Sequence, residues 1–129
     1  MAMMFSELLG RRVLVMEDDY LQASNLTVAL EDHGSDVVGP FSDLQGGMSA
    51  LSRGAVDVAI LDIRLGTERV FELADRLAML KIPFLFVTGY DGGEIPERFK
   101  TVQRLLKPVE LDEMMVLLAV ILSKLDTRH

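Results

Sequence analysis

The chain has 129 residues, 50% of them hydrophobic and 26% charged, with a net charge of −7. This is enough chain for one domain with a core of its own, and the acidic balance excludes direct nucleic-acid binding, which needs a basic face. Without cysteine, disulfides, thiolate chemistry and zinc–thiolate sites are excluded, a reducing cytoplasm is the expected compartment, and no apolar run has the length of a membrane span.

Residues 1–10 ("MAMMFSELLG") read as an N-terminal extension, a loose turn or short helix. Its basic pair follows the apolar stretch, the wrong order for a secretory signal. The remainder, 11–129, reads as one domain with no room for an effector domain after its last helix. "RRVLVME" (11–17) predicts a strand, and "YLQASNLTVALEDH" (20–33) a helix that stops at Gly34, with His33 in its last turn. "DVVGPF" (36–41) predicts a second strand and "DLQGGMSALSRG" (43–54) a weak helix broken by glycines. "VDVAILD" (56–62) is a continuous apolar run of strand length. "RVFELADRLAML" (69–80) places Val70, Leu73, Ala74, Leu77 and Leu80 on one helical face. "IPFLFVT" (82–88) predicts a fourth strand, and the loop "GYDGGE" leads to a short helical piece near "PERFK". "RLLK" (104–107) predicts a fifth strand and "ELDEMMVLLAVILSKLD" (110–126) a long last helix.

Near-continuous apolar strands alternating with helices predict an α/β fold, a doubly wound five-stranded parallel sheet of order 2-1-3-4-5 with both faces covered. Sites in such sheets form at the carboxyl ends of the strands. Strand one ends in Glu17, Asp18 and Asp19, strand three in Asp62, strand four in Thr88, and strand five in Lys107 followed by Pro108. Adjacent carboxylates repel unless a cation or donors offset them. Taken singly, each residue has a plainer reading. Asp19 caps the first helix, with Gln22 three residues on. Asp57, at the opposite end of strand three, is a surface acid. Thr88 is a β-branched strand residue and Lys107 a solvated charge. Asp62, following "VAIL", is the hardest to explain without a partner.

In this order and spacing, "VLVMEDDY", "VAILDIRLG", "FLFVTGY" and "LLKPVE" resemble the receiver domains of two-component response regulators over residues 11–126. The resemblance implies a flavodoxin-like fold and a phosphoacceptor at Asp62. It also implies Mg²⁺ held by Asp18, Glu17 and Asp62 with the backbone carbonyl of Arg64, phosphoryl contacts from Thr88 and Lys107, and a cis Lys107–Pro108 peptide. The implied partners are a sensor histidine kinase or a histidine phosphotransfer protein. Many receivers carry an aromatic residue three positions before the lysine, where this chain has Arg104. With "PFLFVTGY", that departure is similar to stand-alone alphaproteobacterial receivers bearing an F-A-T-G-x-Y-like fourth strand. Tyr90 and the Asp91-Gly92-Gly93 loop are then the candidate relay.

Other readings of the same residues are weaker. A flavin or nucleotide carrier needs a hydroxyl- or glycine-rich phosphate loop after strand one, where three carboxylates would repel a phosphate. An aspartate phosphatase would carry D-x-D there and leaves Asp62 unexplained. A receiver-like binding module that is never phosphorylated accounts for the missing aromatic but not for the intact set of chemical residues. On the last helix, Val116, Leu117 and Val120 fall off the stripe that docks it, which predicts a homodimer or partner face. The dispersed methionines read as core filling.

Overall fold

The structure, a computed structural model, describes residues 6–89 and 94–126. In chain order its main elements are β1 (Arg12–Met16), α1 (Tyr20–Asp32), β2 (Asp36–Phe41), α2 (Leu44–Ser52), β3 (Val58–Asp62), β4 (Arg64–Leu65), β5 (Glu68–Arg69), α3 (Phe71–Met79), β6 (Phe84–Thr88), β7 (Arg104–Leu106) and α4 (Leu111–Asp126). Five strands form one sheet in the order β2-β1-β3-β6-β7, every neighbouring pair parallel. This is the expected winding. The hairpin β4–β5 stands apart from the sheet and only shifts the numbering.

Alternate strand residues leave opposite faces of a sheet, so each buried strand feeds two cores. Leu14, Met16, Ala59, Leu61 and Phe86 pack with α2 and α3, through Ala50, Leu51, Leu73, Ala74 and Leu77. Val13, Val15, Ile60, Leu85 and Val87 pack on the other face with Leu26 and Leu30 of α1 and Met114, Met115, Leu118 and Leu122 of α4. The first core contains a knot of rings. Phe86 lies edge-on to Phe71, Phe84 and Phe99 with centroids 5.5–5.8 Å away, a favoured geometry.

The segment expected to be a glycine-broken helix is a continuous helix. Asp43 caps it by accepting from the Gly46 N–H at 2.9 Å. Gly47 is there for proximity: a Cβ at that position would stand 2.6 Å from Met16 Sδ, so the bare backbone lets α2 lie close against β1. The helical piece near "PERFK" is a single 3₁₀ turn, Glu97–Phe99. On α3 the expected face holds for Val70, Leu73, Ala74 and Leu77, but Leu80 ends the helix half-exposed.

Asp57, read as a surface acid, lies just before β3 and also has a backbone partner. Its Oδ2 accepts the Arg12 N–H at 2.8 Å, giving an otherwise open strand-end donor its partner. On α4, Val116 and Val120 are exposed, as the off-stripe positions predict, whereas Leu117 is half-buried and packs on the α1–α4 core. No helix among the described residues is long and apolar enough to cross a membrane.

Candidate functional site

β1 and β3 lie side by side in register, Met16 beside Leu61, so the residues that follow them meet at one edge of the sheet. Glu17 continues β1 and its N–H donates to Phe41 O at 3.0 Å, which keeps the carboxylate inside the fold. Asp62 closes β3, Thr88 closes β6, and all three side chains are buried. Lys107 follows β7, anchored by its backbone N–H to Thr88 O at 2.8 Å. Lys107–Pro108 is cis as expected, and Gly39–Pro40 is a second cis bond that carried no sequence signal.

The side chains then converge. Lys107 Nζ lies 2.7 Å from Asp62 Oδ2 and 3.5 Å from Glu17 Oε1. The Arg64 N–H donates to Asp62 Oδ1 at 3.2 Å. The Asp19 N–H donates to Glu17 Oε2 at 3.0 Å, while Asp19 Oδ1 accepts the Gln22 N–H at 2.9 Å. Asp19 therefore is the α1 cap, and Glu17 takes the donor that a capping box would have assigned to Gln22. Asp18, exposed, is held by the Gly66 N–H at 2.8 Å. Oxygens of Glu17, Asp18 and Asp62 all lie within 4.8 Å of one another.

Burial is the main force on Glu17. It lifts the pKa to about 7, with the nearby Asp62 adding to the effect and the Asp19 N–H and Lys107 opposing it. Burial opposes the charge on Lys107, but Asp62 and Glu17 outweigh it and carry its pKa above the usual value. Three converging carboxylate oxygens suit a hard divalent cation such as Mg²⁺. A cation there would relieve the strain on Glu17. A cavity of about 500 Å³ adjoins the cluster, bordered by Glu17, Asp62 and Lys107 and by apolar Leu26, Ile60 and Met114.

Arg104 sits on β7 with its guanidinium donating to Lys100 O at 2.8 Å. Tyr90, with Asp91, Gly92 and Gly93, lies outside the described residues. His33 caps α1 at its C-terminus, its ring Nδ1 3.0 Å from Ala29 O. Two features escaped the sequence. Gly66 has φ +62, a turn conformation that favours glycine, and "RLGTE" carried that hint. Glu94 receives Arg64 Nε at 3.1 Å and Arg69 Nε at 3.2 Å. Its partners lie 30 and 25 residues away, so no local pattern could signal it.

Comparison with known proteins shows the family and the fold. A family model described as the response regulator receiver domain matches residues 13–119. SdrG from Sphingomonas melonis Fr1, known from a solution structure, is 33% identical over 89% of this chain and 98% of its own, with a TM-score of 0.75. A receiver domain protein from Methanospirillum hungatei JF-1 superposes with a TM-score of 0.84 over 93% and 99% of the two chains, and at 20% identity it speaks for the fold alone. The transcriptional regulatory protein PdtaR of Mycobacterium tuberculosis is 24% identical over 118 residues, 88% of this chain but 58% of PdtaR, so the chain spans less than two thirds of that relative. With the receiver model matched over most of its length, the chain belongs to the response regulator receiver domain family, phosphoacceptor signalling domains of two-component systems for which phosphorylation and Mg²⁺ binding are typical.

Proposed function

We propose that this protein accepts a phosphoryl group from a sensor histidine kinase or a histidine phosphotransfer protein onto Asp62, in the cytoplasm, and signals through protein contacts. The observation that carries the reading is the Lys107 ammonium 2.7 Å from Asp62, itself grouped with Glu17 and Asp18. An Asp62 oxygen forms the new bond to phosphorus as the P–N bond of the phosphohistidine breaks, and the imidazole leaves. Lys107 balances charge on the phosphoryl oxygens and Thr88 supplies a hydroxyl donor. Glu17, Asp18, Asp62 and the Arg64 carbonyl would hold Mg²⁺, which neutralises the crowded acids and the transferring group. The adjoining cavity leaves room for the donor to approach. The same residues assist the later hydrolysis of the acyl phosphate.

Relay of the signal falls to Tyr90 in this reading, because Arg104 is already engaged with the Lys100 backbone. Amide spectra taken with and without beryllofluoride test it: Tyr90→Ala should erase more of the induced shifts than Arg104→Ala. Val116 and Val120, at 47% and 43% exposure, favour a homodimer or partner face on α4. Val120→Glu should keep the protein monomeric in light scattering while leaving Asp62 reactive, and a wild type that is monomeric at every concentration removes the dimer.

The central test is incubation with Mg²⁺ and acetyl phosphate, read by intact mass. Wild type should gain one phosphoryl group and Asp62→Asn none. Equal labelling of the Asn variant would overturn the assignment. A wild type that never labels would leave the alternative, a receiver-like module that binds partners without phosphorylation.

A further inference from the structure

Glu94 holds two arginines at once, both through Nε: Arg64 at 3.1 Å and Arg69 at 3.2 Å. The trio carries one positive charge more than Glu94 neutralises. It also sits next to the acids of the site, because the Arg64 N–H donates to Asp62 Oδ1 at 3.2 Å. Arg64 is 46% exposed along its side chain, so solvent, not packing, surrounds much of it. An ion pair of this kind is worth little and exchanges readily. Whatever Arg64 gives up by leaving Glu94 is reduced further, since Arg69 stays behind as a partner for the same carboxylate.

We propose that Arg64 exchanges partners when Asp62 is phosphorylated, its guanidinium passing from Glu94 to the phosphoryl oxygens while Arg69 keeps Glu94 paired. The proposal rests on Asp62 as phosphoacceptor and adds a second cation to the phosphoryl contacts. A planar guanidinium matches phosphoryl oxygens better than a carboxylate that it must share. Glu94 is then a competitor of the phosphoryl group, and Arg69 sets how strongly it competes. The exchange also makes phosphorylation a mechanical event. One of the two tethers between the β4–β5 hairpin and Glu94 is released, and that hairpin holds Asp18 through the Gly66 N–H.

Competition predicts effects of opposite sign, which a merely structural ion pair does not. Beryllofluoride, a stand-in for the bound phosphoryl group, is titrated in the presence of Mg²⁺ and followed by amide spectra. Glu94→Gln removes the competing carboxylate from Arg64 and should tighten beryllofluoride binding roughly two- to fivefold, the scale of an exposed ion pair. Arg64→Gln should weaken binding by a similar factor. Arg69→Gln leaves Glu94 with Arg64 alone and should also weaken it, while Glu94→Gln combined with Arg69→Gln should restore the tight form. Arg64 and Arg69 are exposed and Glu94 is partly so, which leaves the core untouched by these variants, and melting checks that each keeps its fold. Glu94→Gln and Arg64→Gln moving affinity in the same direction, or neither moving it, overturns the exchange. Failure of wild type to bind beryllofluoride in a manner lost in Asp62→Asn would instead overturn the phosphoacceptor reading beneath it.

Discussion

Among the described residues, Glu17, Asp18 and Asp62 gather at one sheet edge, two of them, Asp62 and Glu17, against the ammonium of Lys107; beyond the β4–β5 hairpin, two guanidiniums face the carboxylate of Glu94. Burial separates the two groups. Glu17 is buried and its pKa is pushed up to about 7, mainly by loss of water. Glu94 stays partly in solvent, and its pKa is lowered, first by the hydrogen bond from Arg64, against the opposing effect of burial and with further help from Arg69. The same side chain chemistry is therefore held away from its charged form in one place and locked into it in the other. The lesson is that excess charge in a dry site creates demand for a cation, whereas excess charge in a wet site creates a partner that can be lent out.

The largest break in that contrast comes from removing the cation of the dry cluster. Lys107→Met leaves Asp62 and Glu17 buried without their ammonium, and should destabilise the Mg²⁺-free protein at pH 8 by about 2–4 kcal/mol, the cost of orphaning buried charges. Urea midpoints measure it, and Mg²⁺ should recover part of the loss. A stability unchanged by this substitution would mean that the acids are already neutral or hydrated.

Metal supplies the next effect. Saturating Mg²⁺ binds the folded cluster and not the dispersed unfolded one, so about 100-fold excess over Kd should add roughly 2.7 kcal/mol. Asp18→Ala should remove most of the corresponding rise in Tm. A wild-type Tm indifferent to millimolar Mg²⁺ would count against the metal site as a whole.

The dependence on pH follows from the direction of the Glu17 shift. Its folded pKa, about 7, lies above the ordinary 4.5, so the folded protein holds this proton more tightly than the unfolded chain. That contribution to stability is fully present below about 4.5 and is lost as pH rises through about 7. Thermal melts in EDTA should show this decline, and Glu17→Gln should flatten it. Mg²⁺ needs the carboxylate, so its apparent affinity should climb through the same window.

The wet cluster should give the smallest change. Glu94→Gln breaks two exposed ion pairs and should alter stability by no more than about 1 kcal/mol, whatever it does to ligand affinity. A larger loss would mean that the Arg64–Glu94–Arg69 group is part of the framework, and the contrast between the clusters would fail.

Much of this molecule is written in local pattern. The three apolar runs ending in Glu17, Asp62 and Thr88 are buried strands, the short strand before Lys107 lies half-exposed at the sheet edge, and parallel winding brings all four ends together. The Asp19 cap, the stripe on α4 and the exposure of Val116 and Val120 follow equally from spacing. Tertiary structure decided what spacing cannot carry. The hairpin β4–β5 has strands of two residues each, too short for any periodicity. Gly47 looked like a helix breaker until Met16 was set against it. Glu94 meets Arg64 and Arg69, and Asp57 meets the Arg12 backbone, only because the fold sets segments distant in sequence side by side. Periodicity reports which side of an element faces the core, and that depends on the element alone. Which charge stands beside which is a property of the assembled chain.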